Sequence, residues 1–112
     1  MIKSISSFLA VASLTVSSTF CAFSAEPPAT WSKHCKICHG DDGKGQTKMG
    51  KKFKVRDLTD ATYQASLTDE KAFTSIKEGL RQDGKQTMKP FKDKLKDEEI
   101  KQLVAFIRSL KG

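Results

Sequence analysis

The chain has 112 residues, of which 38% are hydrophobic and 29% are charged, and it carries a formal net charge of +7. This length and balance are typical of one small globular domain and exclude a second one. The positive charge is explained either by solubility or by attraction to acidic partners.

The N-terminal segment, residues 1–25, is predicted to be a cleavable export signal. Lys3 provides a short positive region, and an apolar run with many Ser, Thr and Ala follows it, "FLAVASLTVSSTFCAF". A membrane anchor fits less well, because the run is short for a spanning helix. Export with cleavage predicts a periplasmic location. The cleavage site is expected among three small residues, Ala22, Ser24 and Ala25.

The mature domain, residues 26–112, contains two cysteines, Cys35 and Cys38, because Cys21 lies in the predicted signal. A domain this small often needs a disulfide, a metal or a cofactor to be stable. A disulfide between cysteines so close in sequence would add little stability, because it closes a very short loop. The sequence therefore favours a metal or a cofactor.

The segment "ATWSKHCKI" is predicted to be a short helix, because the two prolines before it suit the start of a helix and not its interior. The helix leads into Cys35, Cys38 and His39, which form the pattern C-x-x-C-H. The next ten residues are predicted to be a loop. They are rich in glycine and aspartate, namely Gly40, Asp41, Asp42, Gly43, Gly45 and Gly50.

C-x-x-C-H is the attachment pattern of a c-type haem. The thiols of Cys35 and Cys38 add to the vinyl groups as thioethers, and the imidazole of His39 ligates the iron. A thioredoxin-like site would need a βαβ context, and a structural zinc site would need four ligands. We therefore predict one covalently attached haem c with its iron. His34 is expected to be an exposed helix residue and not a ligand.

Two further helices are predicted in the second half of the chain. The first lies in "LTDEKAFTSIKEGL", with Thr68 as its N-cap, Gly79 at its end and an apolar stripe of Ala72, Phe73 and Ile76. The second begins near Asp97 and has the helical apolar spacing in Ile100, Leu103, Val104 and Ile107, widened by Phe106 and Leu110. The stretch "RQDGKQTMKPF" between them is predicted to be a loop, and no strand is expected.

A methionine is expected as the second iron ligand, because a thioether favours reduced iron and suits an electron carrier. Met88 lies far enough from His39 along the chain to reach the opposite haem face, and Pro90 can stiffen its loop. Met49 follows His39 closely and is expected to pack or to lie at the surface. We therefore predict Met88 as the ligand. If neither methionine ligates, an open iron would allow gas binding or peroxidase activity.

The chain resembles the class I cytochromes c, most closely the small bacterial periplasmic type with one haem. The resemblance extends from "WSKHCKICHGDDGKG" through "VRDLTD" and "SLTDEKAFTSIKEG" to "MKPFKDKLKDEEIKQLVAFIRSL". It implies an all-α fold, with three to five short helices wrapped around one haem, and single-electron transfer. Two features depart from the family pattern: no proline lies between His39 and Pro90, and Lys96 stands where the last helix often has a Ser or Thr cap.

The surroundings of the haem are expected to come from several segments. Trp31 lies either near a propionate or in the core, and Arg56 either pairs with a propionate or is solvated. A backbone carbonyl of residues 43–46 is expected to accept the Nδ1 hydrogen bond of His39. An apolar shell around the iron is predicted from Phe73, Phe91, Ile100, Val104, Phe106 and Ile107.

The lysines gather in two segments, which in the family fold border the exposed haem edge. One group lies near the motif, namely Lys33, Lys36, Lys44, Lys48, Lys51, Lys52 and Lys54. The other flanks Met88, namely Lys85, Lys89, Lys92, Lys94 and Lys96. As an explanation of these lysines, docking onto acidic redox proteins is favoured over solubility alone. Nucleic acid is not expected as a partner, because the chain is exported and lacks a basic helix with interleaved aromatics.

The combined prediction is a soluble, exported monohaem cytochrome c that carries single electrons between respiratory or other periplasmic partners. It is expected to be a monomer, to catalyse no bond chemistry, and to contact a membrane-bound oxidase or quinol-oxidising complex transiently. One alternative is a haem domain that accepts electrons from one periplasmic dehydrogenase. The other is an open-site gas sensor or peroxidase.

Overall fold

A computed structural model describes residues 9–17 and 26–112. Residues 9–17 form no helix or strand, and their side chains are exposed. The rest of the predicted export signal, residues 1–8 and 18–25, lies outside the described residues, so the signal stays a prediction. Within the described ranges, no helix is long and apolar enough to cross a membrane.

The domain consists of short helices and one hairpin. The first helix starts with a π-helical segment, Trp31–Cys35, and continues as α1, Lys36–His39. The remaining elements are α2, Lys48–Phe53; α3, Ala61–Ser66; α4, Asp69–Glu78; β1, Leu80–Gln82; β2, Lys85–Met88; and α5, Asp97–Ser109. The expected all-α class with three to five short helices is therefore confirmed, and the hairpin is an addition to it.

Local capping explains two helices that the sequence analysis missed. The side chain of Thr47 accepts a hydrogen bond from the backbone N–H of Gly50 and starts α2. The side chain of Asp60 accepts from the N–H groups of Thr62 and Tyr63 and starts α3. Both caps satisfy backbone donors that have no partner inside a helix. The predicted loop is therefore wrong over its last three residues, which belong to α2.

The stretch predicted as a loop before α5 contains the antiparallel strands β1 and β2. Gln82 pairs with Lys85, so two residues, Asp83 and Gly84, form the turn. Both have positive φ, 51° and 75°, which is the requirement of a type I′ hairpin turn. The prediction was wrong because the flanking residues are polar and lack the alternation that usually marks strands.

The core lies where the first helix and α4 pack against α5. Ile100 and Leu103 of α5 are completely buried, and Ala72 and Ile76 of α4 are buried against the same core. Trp31 is 1% exposed, and its ring packs edge-on against Phe106 with the centroids 4.9 Å apart. The predicted apolar faces of α4 and α5 are therefore confirmed. The N-cap of α4 is also as predicted, since Thr68 Oγ1 accepts from the N–H of Lys71 at 3.1 Å.

A polar network joins α3 to the end of the α4–α5 pair at which α4 begins and α5 ends. Gln64 is 4% exposed and donates from Nε2 to the carbonyls of Leu58 and Ile107, at 2.7 and 2.8 Å. Arg108 donates to the carbonyl and the side-chain oxygen of Gln64, both at 2.8 Å, and to the carbonyl of Leu67. It also donates to Asp69 Oδ1 at 2.6 Å. These bonds fix where α3 sits on the core.

Candidate functional site

The four predicted site residues border one cavity of about 400 Å³. This volume is within the usual range for cofactor sites. Its wall includes Cys35, Cys38 and His39 on one element and Met88 on another. Apolar side chains complete it, namely Ile37, Met49, Phe53, Val55, Leu58, Leu80 and Phe91. The structure therefore brings together residues that are about 50 positions apart in the sequence.

Burial controls the protonation of the motif residues. Both cysteines are free thiols; Cys35 is buried and Cys38 is half-buried. Burial, and to a lesser degree the neighbouring Cys38, raises the pKa of Cys35 to about 11, so its thiol is protonated at neutral pH. Burial lowers the pKa of His39, which keeps its imidazole neutral. Neutral imidazole is the form that ligates a metal.

The loop after the motif is hydrogen-bonded to the backbone carbonyls of the motif. The N–H of Gly45 donates to the carbonyl of His39 at 2.8 Å, and Thr47 Oγ1 donates to the carbonyl of Cys38 at 2.7 Å. Gly50 lies so close to this turn that an added Cβ would overlap the carbonyl oxygens of Gly45 and Cys38. A glycine is therefore required at Gly50, and α2 packs directly on the motif.

The predicted Nδ1 hydrogen bond of His39 is not present. Nδ1 is buried and has no hydrogen-bond partner among the described residues, so the expected carbonyl of residues 43–46 does not reach it. The nearest aromatic ring is that of Trp31, whose centroid is 5.8 Å from that of His39. Trp31 is not part of the cavity wall and packs in the core. The core alternative for Trp31 is therefore the one that the structure supports.

Met88 is held at the end of β2 by contacts on both sides. It pairs with Leu80 of β1 and packs against the core. The segment after it is bonded to α4, because Phe91 N–H donates to the carbonyl of Ile76 at 3.0 Å. Met49, which was expected to pack or to lie at the surface, is half-buried on the same cavity wall. Both thioethers therefore border the cavity, and the assignment of Met88 as the ligand stays a prediction.

Two polar residues of the wall stack on each other. The guanidinium carbon of Arg56 is 4.6 Å from the ring centroid of Tyr63, within the range of a cation–π contact. Both border the cavity, so either could hold a haem carboxylate. Arg56 was predicted as one possible propionate partner, whereas no local pattern indicated Tyr63, whose place depends on the position of α3. Of the predicted apolar shell, Phe91 lies on the wall, while the other five residues belong to the helix core.

His34 also borders the cavity, which differs from its expected place on an exposed helix face. It is half-buried, and its ring packs edge-to-face on Phe91 with the centroids 5.4 Å apart. Partial burial and the nearby lysines lower its pKa below the ordinary 6.5. It is therefore mostly neutral at pH 7.

The mouth of the cavity is apolar and flanked by lysines. Ile37 is 65% exposed and Leu80 is 42% exposed, although both border the cavity. Lys54 and Lys89 lie on the same wall. Some lysines of the two predicted groups form ion pairs instead: Lys36 with Asp41 at 3.2 Å, and Lys92 with Glu78 at 3.5 Å.

The residues around the cavity fit a covalently held haem. Two free thiols, a neutral imidazole and a thioether border one apolar space, which is the donor set of a c-type haem. Cys35 and Cys38 would attach it, and His39 with Met88 would hold its iron.

Comparison with known proteins gives the family that the sequence resembles, and the match extends over the whole domain. Residues 26–111 match the family described as Cytochrome c. Among solved structures, the KustC0563 c-type cytochrome is similar, with 40% sequence identity and a TM-score of 0.66 over 73% of this chain and 93% of that chain. A tyrosine-to-phenylalanine mutant of the same protein has 41% identity and a TM-score of 0.64, over 72% and 93%. No curated protein sequence matches the chain.

Proposed function

The chain belongs to the cytochrome c family, and we propose that it is an exported carrier that moves single electrons between periplasmic redox proteins. Proteins of this family bind haem c covalently and generally carry electrons. The observation that supports the carrier role is the single cavity at which two thiols, an imidazole and a thioether meet below an apolar, exposed mouth.

The proposed roles of the motif residues follow from their chemistry. Cys35 and Cys38 would form the two thioethers, which prevent loss of the cofactor after export. His39 would be the first iron ligand, and burial keeps it in the neutral form that ligation needs. Met88 would be the second ligand. The haem supplies the one-electron redox chemistry, and the protein supplies ligation, burial and access.

The apolar residues of the wall would exclude water from the iron. Phe91 and Leu58 are buried, and Phe53 and Val55 are half-buried on the same wall. A low-dielectric surrounding disfavours the extra positive charge of the oxidised iron and therefore raises the reduction potential. A carrier needs such a shell on most sides and one exposed edge, which supports the proposal that electrons pass at Ile37 and Leu80.

The first prediction tests covalent attachment. Acid–acetone extraction of the exported protein should leave the haem on the polypeptide, because thioether bonds survive denaturation. The measurement is the haem absorbance that remains with the precipitated chain. Changing Cys35 and Cys38 together to Ala should leave a largely unfolded chain by circular dichroism, because so small a domain lacks enough core without its cofactor.

Haem that separates from the wild-type chain in acid–acetone would contradict the C-x-x-C-H assignment. The spectrum of the oxidised protein tests the carrier role separately. A weak sulfur–iron band is expected when methionine ligates, whereas an open site lacks it and favours a sensor or peroxidase.

A further inference from the structure

The end of α4 lies against the backbone that carries Met88. Gly79 follows the last residue of α4, and its φ of 77° and ψ of 179° define a region that glycine alone adopts readily. A Cβ added at Gly79 would lie 2.5 Å from the carbonyl oxygen of Met88 and 2.9 Å from the nitrogen of Pro90. Both neighbours are backbone atoms, so no side-chain rotation could relieve the overlap. The contact therefore requires a glycine.

Hydrogen bonds hold the segment after Met88 on the same helix end. The backbone N–H groups of Phe91 and Lys92 donate to two carbonyls in the last turn of α4, at 3.0 and 3.2 Å. Carbonyls at this place have no partner inside the helix. Pro90 has no N–H, so its nitrogen can lie against Gly79 without leaving a donor unpaired. Because the segment is bonded to α4, it cannot withdraw freely from an atom added at Gly79.

An irregularity in the hairpin also positions Met88. Arg81 pairs with Gln86, whereas Leu80 pairs with Met88, so Thr87 is an extra residue on β2. A bulge of this kind bends its strand and changes the direction of the neighbouring side chain, and bulges often lie next to functional sites. Thr87 Oγ1 donates to the carbonyl of Leu80 at 3.4 Å. The backbone at Met88 is therefore positioned by the bulge as well as by the end of α4.

We propose that Gly79 is a positioning residue for the second iron ligand. Because Gly79 has no side chain, the backbone of Met88 can approach the end of α4, and this approach sets the place of the thioether on the cavity wall. Gly79 does not line the cavity, so it acts through the backbone of Met88. The inference rests on the proposed function, because it concerns the ligand that is named there.

A methyl group added at Gly79 would displace the backbone of Met88. Ordinary van der Waals contact begins at about 3.5 Å, so the carbonyl oxygen of Met88 would have to withdraw by about 1 Å. A functional side chain must be held within about 0.5 Å of its productive position. The displaced thioether would therefore ligate the iron less strongly, and an external ligand would bind the oxidised protein more tightly.

Gly79→Ala is tested against Gly84→Ala, which adds the same methyl group in the turn of the hairpin. Gly84 also has a positive φ, 75°, but a Cβ added there would meet no atom within 4 Å. Both variants are purified as holoprotein. Imidazole is titrated into each oxidised protein, the sulfur–iron band is recorded, and the reduction potential is measured by spectroelectrochemical titration. Circular dichroism reports the helix content of each variant.

Gly79→Ala should weaken the sulfur–iron band and lower the reduction potential, because less thioether is bound to the iron. Its affinity for imidazole should rise by at least about tenfold, since release of the sulfur relieves the overlap. Gly84→Ala should keep the band and the imidazole affinity of the wild-type protein. In a Met88→Ala background, Gly79→Ala should add nothing to the imidazole affinity, because the sulfur through which it acts is absent.

An unchanged band and imidazole affinity in Gly79→Ala would overturn the inference and leave the assignment of Met88 intact. A further rise in affinity when Gly79→Ala is added to Met88→Ala would also overturn it, because Gly79 would then act by another route. Loss of helix content in Gly79→Ala would assign the glycine to the stability of the domain instead. A wild-type protein without the sulfur–iron band would contradict Met88 as the ligand, which is a failure of the proposed function itself.

The contact can also be measured in the wild-type protein, so the test does not depend on how well a variant folds. In the reduced holoprotein, nuclear Overhauser spectra should show cross-peaks between the α-protons of Gly79 and the δ-protons of Pro90. The α-protons of Gly84 should show no cross-peak to Pro90. Absence of the Gly79 cross-peaks would mean that the end of α4 does not hold the Met88 segment, and the positioning role would be overturned.

Discussion

At the scale of single residues, burial sets the protonation of a side chain on the cavity wall, so two residues of the same type can differ. Cys35 and Cys38 are three positions apart, yet Cys35 is the buried one, and burial raises the pKa of its thiol to about 11. A thiol with so high a pKa is a weak nucleophile at neutral pH.

The two methionines of the cavity wall are expected to differ in their effect on the iron. Met88→Ala should lower the reduction potential and let imidazole or cyanide bind the oxidised protein, because it removes a thioether that favours reduced iron. Met49→Ala should do neither, although Met49 borders the same cavity. The potential is measured by spectroelectrochemical titration, and ligand binding by the change in absorbance.

Met49→Ala is the matched control, because it removes the same side chain from the same wall. A large drop in potential for Met49→Ala with a small one for Met88→Ala would mean that Met49, and not Met88, ligates the iron. Comparable small changes in both variants would mean that neither sulfur ligates the iron.

At the scale of elements, α3 is fixed by polar contacts as well as by apolar packing. Arg108 of α5 donates to the carbonyls of Gln64 and Leu67, and both acceptors lie at the end of α3. Tyr63, which borders the cavity, is the neighbour of Gln64 in the same helix. The position of the Arg56–Tyr63 pair therefore depends on the hydrogen bonds by which Arg108 holds α3.

Arg108→Met should destabilise the domain by about 2 kcal/mol, because two backbone carbonyls and the side-chain oxygen of Gln64 lose a charged donor at a partly buried site. Lys101→Met is the control on the same helix. Lys101 pairs with Glu98 on an exposed surface, at 3.4 Å, and such pairs contribute about 0–1 kcal/mol. The measurement is chemical denaturation of the holoprotein followed by circular dichroism. Equal loss of stability in the two variants would show that the Arg108 network adds nothing beyond a surface ion pair.

At the scale of the whole molecule, two lysines without a salt bridge in the described part of the chain border the cavity at which electrons are proposed to pass. Lys54 and Lys89 border the cavity, whereas Lys77 and Lys101 are paired with Asp97 and Glu98 on other surfaces. We expect these lysines to steer an acidic partner towards the exposed mouth before contact is made. The salt dependence of the reaction reports this steering.

Electron transfer to an acidic partner protein should slow by about tenfold or more between low and physiological ionic strength, because the Debye length falls from about 30 Å at 0.01 M to about 8 Å. Lys54→Glu and Lys89→Glu should each slow association more than Lys111→Glu, although each reversal changes the net charge equally. The rates are measured by stopped flow after the potential of each variant has been checked. Equal slowing by all three reversals would mean that Lys54 and Lys89 contribute to solubility and not to docking.

The sequence alone determined those features that depend on neighbouring residues. C-x-x-C-H specifies haem attachment through its own spacing, and the apolar repeats of α4 and α5 specify the helices whose buried faces the structure shows. A cap such as Thr68 works within one turn, so its effect was also predictable. The same logic, applied to Thr47 and Asp60, would have found α2 and α3, and the Asp83–Gly84 turn would have indicated the hairpin.

The tertiary structure decided which residues share the cavity. Met49, Tyr63 and His34 lie on its wall because α2, α3 and the first helix pack as they do, and no pattern in their own segments indicates it. Spacing along a chain specifies contacts within a turn or two of helix, whereas contacts between distant segments depend on how whole elements bury their apolar faces.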